Sequence, residues 1–214
     1  MDTHGDPAMD GGLLLVRADP EHAIRWVTRG VVPAHVSGFG SWSAITAAGP
    51  RTLAAPPYDD AREVLAARPP GARTRPALGF FVIGGNAVVS VQPSPWRATR
   101  RWLVWVPGSG VVRSKLPGLR PGDLLRVAET RTPEAGRSLV ELLRRSHGDA
   151  IWWLVDLLRV LGLPGERLLT DPASAQEGDL VEPSPSNVAR FDATVREVLA
   201  EQALANRAPL EDDR

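Results

Sequence analysis

The stretch His35-Val36-Ser37-Gly38-Phe39-Gly40-Ser41 holds the best-placed candidate chemistry in this chain. Glycines at 38 and 40 would let the backbone approach an anion, and Ser37, Ser41 and Ser43 could donate hydrogen bonds to it. The pattern lacks the third glycine of a dinucleotide-binding turn, and no helix signal follows to aim an N-terminus at a phosphate. The stretch is therefore expected to be a strand-entry loop. A small-ligand site or an active site built on it, helped by His147 or Asp149, is the alternative reading of the whole chain.

The remaining reactive residue types are scattered. His4, His22, His35 and His147 occur singly, with no HxH, HExxH or i,i+4 pairing, whereas a metal needs at least three convergent donors. There is no cysteine, so thiol nucleophiles, iron–sulfur clusters and thiolate zinc sites are excluded. Ser146-His147-Gly148-Asp149 contains the residue types of a hydrolytic triad, but no G-x-S-x-G elbow is present and Ser109 sits in the turn-like Pro107-Gly-Ser-Gly110. No catalytic residue, cofactor or metal is expected.

Aromatic and basic residues gather between Ser94 and Pro107, which holds Trp96, Trp102 and Trp105 with Arg97, Arg100 and Arg101. A surface for single-stranded nucleic acid needs exposed aromatic platforms ringed by cations. As a strand, 102–106 would send Trp102, Val104 and Val106 to one face and Leu103 and Trp105 to the other. Both faces are apolar, which demands cover on both sides. The three arginines then fall in a solvated loop, and only Trp96 makes an inexpensive platform. Nucleic-acid binding through Trp96–Arg101 ranks third among the functional readings. In the adjacent pair Trp152-Trp153, side chains about 100° apart on a helix cannot share one surface. Core packing is the first reading of both, with Trp153 the candidate for a partner contact.

The elements that would position these residues follow from periodicity and punctuation. Strands are expected at 13–18, 42–47, 78–83, 87–91, 102–106 and 111–112. The fourth joins the third through Gly84-Gly85-Asn86 as a hairpin, and the last two form a second hairpin. Asp19-Pro20-Glu21 and Thr132-Pro133-Glu134 each supply a cap, a proline and a first-turn acid for a helix. Asp59 or Asp60 caps another through Ala67, and Asp149 caps one that runs to Gly162. That last helix is apolar nearly all round; Asp156 and Arg159 mark its exposed strip. Val188, Phe191, Val195, Val198, Leu199 and Gln202 form a one-sided stripe on a final helix.

The fold class that results is α+β: a mixed, mainly antiparallel sheet of about six strands with packed helices and a helical C-terminal third. The expected organisation is a disordered tail over 1–12, a globular domain over 13–170, a polar linker over 171–186, an amphipathic helix over 187–206 and a charged tail over 207–214. The final helix is the element expected to move or to dock elsewhere.

Apolar residues make up 43% of the chain and charged ones 23%, the balance of a globular protein. The acidic, glycine-rich start is no signal peptide, and no apolar run approaches the roughly 20 residues of a membrane span. A cytoplasmic location without membrane contact is expected. Net charge is zero, yet 96–145 carries 11 basic residues against 4 acids and 146–214 carries 6 against 13. Of the 25 basic residues only Lys115 is lysine, the mark of a G+C-rich bacterial genome. Lacking a chemical constellation, the chain is read as a non-catalytic protein-interaction module, an adaptor or subunit of a bacterial cytoplasmic assembly. It would bind a protein partner or itself through Trp96, Arg97, Arg100, Arg101, Trp153, Val188, Phe191, Val195, Val198 and Leu199. The sequence does not specify a small-molecule ligand.

Overall fold

A strand whose successive residues are all apolar has two faces to hide, and Leu13-Leu14-Leu15-Val16 places that demand at the centre of the molecule. The structure, a computed structural model, describes residues 11–94 and 99–205. Its first strand, β1 (Gly12–Val16), belongs to one eight-stranded sheet with β2 (Ala34–Phe39), β3 (Trp42–Ala47), β4 (Ala77–Ile83), β5 (Asn86–Gln92), β6 (Arg101–Val106), β7 (Gly110–Val112) and β8 (Asp179–Val181). Their order is β7-β6-β5-β4-β1-β3-β2-β8, and every neighbouring pair is antiparallel.

Alternation along β1 sends Leu14 and Val16 to one face, where Phe81 and Ile45 join them against α1 (Pro20–Thr28) and α2 (Ala61–Ala67). It sends Leu13 and Leu15 to the other, with Leu78, Phe80 and Trp105. Here the cover is α3 (Pro121–Ala128), α4 (Pro133–Arg144), α5 (Ala150–Leu161) and α6 (Glu166–Thr170). Sheet and helices thus form three layers. The chain ends with α7 (Pro172–Ala175), β8 and α8 (Pro185–Ala205).

Local chemistry explains most of the boundaries. Asp60 Oδ1 accepts from the backbone N–H groups of Arg62 and Glu63 at 2.9 Å each, and Asp149 Oδ1 accepts from Ile151 N at 2.8 Å. Thr132 caps α4 through Ala135 N at 3.3 Å. The β4–β5 hairpin turns on Gly84 and Gly85, both at positive φ (56° and 75°), the backbone that a tight two-residue connection with the right twist requires.

The α+β class is observed, with two corrections to the sheet: it has eight strands where about six were expected, and it is antiparallel throughout its ladders. The added strands are β2 and β8. Residues 35–41, expected as a loop, are the strand β2 and its hairpin turn into β3, closed by Gly40 at φ 62°. Segment 171–186, expected as a linker, carries α7 and β8, and β8 pairs with β2 through Ala34↔Val181, His35↔Leu180 and Val36↔Asp179. The last third is therefore not purely helical. Most of the expected terminal tails, 1–10 and 206–214, lie outside the described residues.

On the α5 side the core is organised by two indoles. Trp105 and Trp153 stack with centroids 5.5 Å apart and planes 17° from parallel. Each ring N–H is satisfied, Trp105 Nε1 by Arg145 O at 2.6 Å and Trp153 Nε1 by Leu142 O at 3.2 Å. Trp153 is 2% exposed and Trp152 53% exposed, so the partner-facing role expected of Trp153 is corrected. The helical offset of 100° turns one indole into the sheet and its neighbour outward, onto the strip shared with Asp156 and Arg159. We expect Trp153→Ala to lower unfolding free energy by about 3–5 kcal/mol in denaturant titration. Trp152→Ala should stay within about 0.5 kcal/mol of the parent.

Candidate functional site

Strand β2 forms one wall of an open cleft of about 720 Å³, which Ser37, Gly38 and Phe39 line. The facing wall is the turn from Leu163 to Leu168, with Ser174 and the approach to β8, Glu177-Gly178-Asp179. The two walls meet closely at Gly178. A Cβ there would lie 2.4 Å from Ser37 Oγ and 2.8 Å from Val36 O, so only glycine lets the chain come this near β2. Apolar surface from Phe39, Leu163 and Leu168 alternates with Ser37, Ser174, Glu166, Arg167 and Asp179, a composition and size suited to a small molecule.

The helpers expected for this stretch do not reach it. His35 shares the β2 face of Ser37 but does not line the cleft: its Nδ1 lies 3.4 Å from Gly178 O, and it lines an adjoining smaller cavity of about 270 Å³ with Thr46 and Leu168. Neither His147 nor Asp149 lines either space. Asp149 is instead committed to capping α5. Among the described residues, no three histidine or acidic side chains group as metal donors.

Of the Trp-Arg segment, Trp96 and Arg97 lie outside the described residues. Arg100 and Arg101 are not the freely solvated loop charges that were expected. Arg100 folds over Trp102, its guanidinium carbon 4.4 Å from the ring centroid. It donates to Ser90 Oγ at 2.7 Å and to the backbone oxygens of Ala67 and Arg68 at 3.2 Å each, the carbonyls at the end of α2. Arg101 sits 3.6 Å from Asp123 and donates to Gly118 O at 3.3 Å.

Arg68 repeats the arrangement one helix earlier. It stacks 3.9 Å over Trp26 and donates to Trp26 O at 2.6 Å, near the end of α1. Burial pushes both guanidinium groups down to about 10, so each remains charged at neutral pH. The direction of the shift means that burying each charge opposes folding at all pH values below about 10, and this cost is relieved only above it. Indole faces and helix-end carbonyls offset the cost with cation–π attraction and charge-assisted hydrogen bonds.

The stripe on α8 divides in two. Val188 and Phe191 pack against Val31, Val32, Ala54 and Ala61, and Phe191 meets Tyr58 edge to face at 5.5 Å. Asn187 Nδ2 donates to Thr28 O at 3.2 Å, and Asp192 Oδ1 accepts from Ala55 N at 3.2 Å. One turn further, Val195 is half-buried, Val198 is 43% exposed and Leu199 45%. The face that anchors the helix continues beyond the body that it is anchored to.

Asp156 and Arg159 do lie on the exposed strip of α5, within a chain of ion pairs: Arg145 to Asp156 at 2.6 Å, Asp156 to Arg159 at 3.6 Å, and Arg159 to Glu166 at 2.7 Å. No helix of the described residues is long and apolar enough to cross a membrane. No protein-family model, characterised protein or solved structure matches this chain.

The sequence signal for β2 was present in Ala34-His35-Val36-Ser37, which alternates buried and half-buried residues, but the following glycines obscured it. For Arg100 there was no such signal, because its partners are carbonyls more than 30 residues away. We expect Arg100→Ala to destabilise the protein by about 1–3 kcal/mol, as it leaves helix-end carbonyls unpaired. Hydrogen exchange should show the loss first in α2.

Proposed function

We propose that the protein is an interaction module that associates with a second copy of itself through the outer half of α8. The observation that carries this reading is the divided stripe, docked at Val188 and Phe191 and open at Val195, Val198 and Leu199. Positions 188, 191, 195, 198 and 202 are spaced 3, 4, 3 and 4 apart, which is the seam spacing of paired helices. The occupant that suits such a seam is another amphipathic helix, and α8 of a second copy carries the same seam. A stripe this short gives a small contact, so the association is weak and concentration-dependent.

Sedimentation of the full chain and of a chain ending at Thr194 tests this. That end point keeps the docked turns and removes the open stripe, so both forms should melt alike. We expect the full chain to shift towards dimer with concentration, and both the shortened chain and Val198→Glu to stay monomeric. A full chain that remains monomeric at the highest soluble concentration overturns the reading.

A second reading, small-molecule binding in the cleft beside β2, is favoured by its size of about 720 Å³ and its mixed lining. A ligand seated there would raise the melting temperature in proportion to its occupancy, and Phe39→Ala, which removes apolar surface from the cleft wall, should reduce that rise.

A further inference from the structure

We propose that the recess between α1 and the single 3-10 turn Ala72–Thr74 binds the phosphate group of a small phosphate monoester. Positions 22, 25 and 29 are spaced 3 and 4 apart, so α1 and its C-cap residue present His22, Arg25 and Arg29 along one side. The turn adds Arg73 from across the recess. Packing fixes this approach: Trp26 Nε1 donates to Pro69 O at 3.2 Å, which ties the segment before the turn to the helix. The space enclosed is about 370 Å³, ample for a phosphate with part of its ester, and no acidic residue lines it.

Three arginines line one space with no acid among its walls, an excess of positive charge that favours an anion within it. The nearest compensation is Glu21, 3.8 Å from Arg25 and almost fully exposed. Arg29 and Arg73 have no ion pair among the described residues. A monoester dianion accepts from several guanidinium forks at once, whereas a carboxylate carries a single charge and is saturated by fewer donors.

The floor of the recess separates a small ligand from a nucleic acid. Trp26 is 8% exposed and Arg68 already stacks on its ring, so it offers no platform for an unstacked base. Gly71 keeps the floor low. A Cβ there would point into ordinary contact with Trp26 and Thr74 at 3.7 Å, and the backbone at φ −67° accepts any side chain. A larger residue at 71 would therefore fill the recess without straining the chain.

Calorimetric titration of the full chain with phenyl phosphate at low ionic strength is the test, with inorganic phosphate as competitor. We expect one saturable site displaced by inorganic phosphate, with affinity reduced by at least about tenfold in Arg29→Gln and in Arg73→Gln. Binding should be lost in Gly71→Leu, which changes no charge, and kept in Arg144→Gln on the distant α4. All four positions are exposed, so thermal melts should match the parent. No saturable binding overturns the proposal, as does binding indifferent to Arg29, Arg73 and Gly71. So does capture of an oligonucleotide that phenyl phosphate cannot displace. None of these residues belongs to α8, so the outcome is independent of the self-association reading.

Discussion

Two-sided burial of the central strands is the constraint from which the rest of the architecture follows. Leu13 to Val16 in β1, and Leu78, Phe80 and Phe81 in β4, place apolar side chains on both faces of adjoining strands. An antiparallel sheet is able to leave one face to water, but these strands cannot. The chain therefore supplies helices twice: α1 and α2 from segments interleaved with the early strands, and α3 to α6 from one continuous stretch after the sheet is nearly complete. Cover is heaviest over β1 and β4 and thins towards β7, where Val104 and Val112 are only half-buried.

A pair of arginines ties α1 to α2 and α2 to the sheet. Arg68 binds the end of α1 and Arg100 binds the end of α2, each flattened on a tryptophan. A carboxylate partner would satisfy such a cation more strongly, yet a helix C-terminus offers partial negative charge already fixed in place. The two contacts are linked, because Arg100 donates to the carbonyl of Arg68 itself. Losing one loosens the backbone that carries the other, so the pair acts as one tie between three elements. Their charge serves cohesion here, which lowers the number of cations that the Trp96–Arg101 segment can offer a polyanion.

Features written in short-range chemistry were legible in the sequence. Asp60, Thr132 and Asp149 cap the helices that were expected of them, and the Gly84-Gly85 hairpin turns where positive φ is needed. What escaped was set by partners distant along the chain. Strand β8 has three residues and no apolar alternation, and exists because Gly178 lets it approach the open edge of β2. The cleft beside Ser37 is likewise a product of α6, α7 and β8 packing near β2, and no local pattern announces it. For Trp152 and Trp153 the offset of two neighbours was certain, but which one faces the sheet depends on Trp105, 48 positions earlier.

The root of α8 bears on what its tip can do. An amphipathic helix without a packed face has little stability in water, and ordering it on contact with another chain consumes much of the interaction energy. Here Val188, Phe191, Asn187 and Asp192 hold the first two turns against the body, so the helix has already nucleated where it leaves the surface. Propagating it outward adds one hydrogen bond per residue, without the initial entropy of nucleation. Val195, Val198 and Leu199 are thereby presented on a formed scaffold at a fixed angle. A short apolar stripe is a poor binding element on a disordered tail and an effective one on an anchored helix, which is why the docked half matters as much as the exposed one.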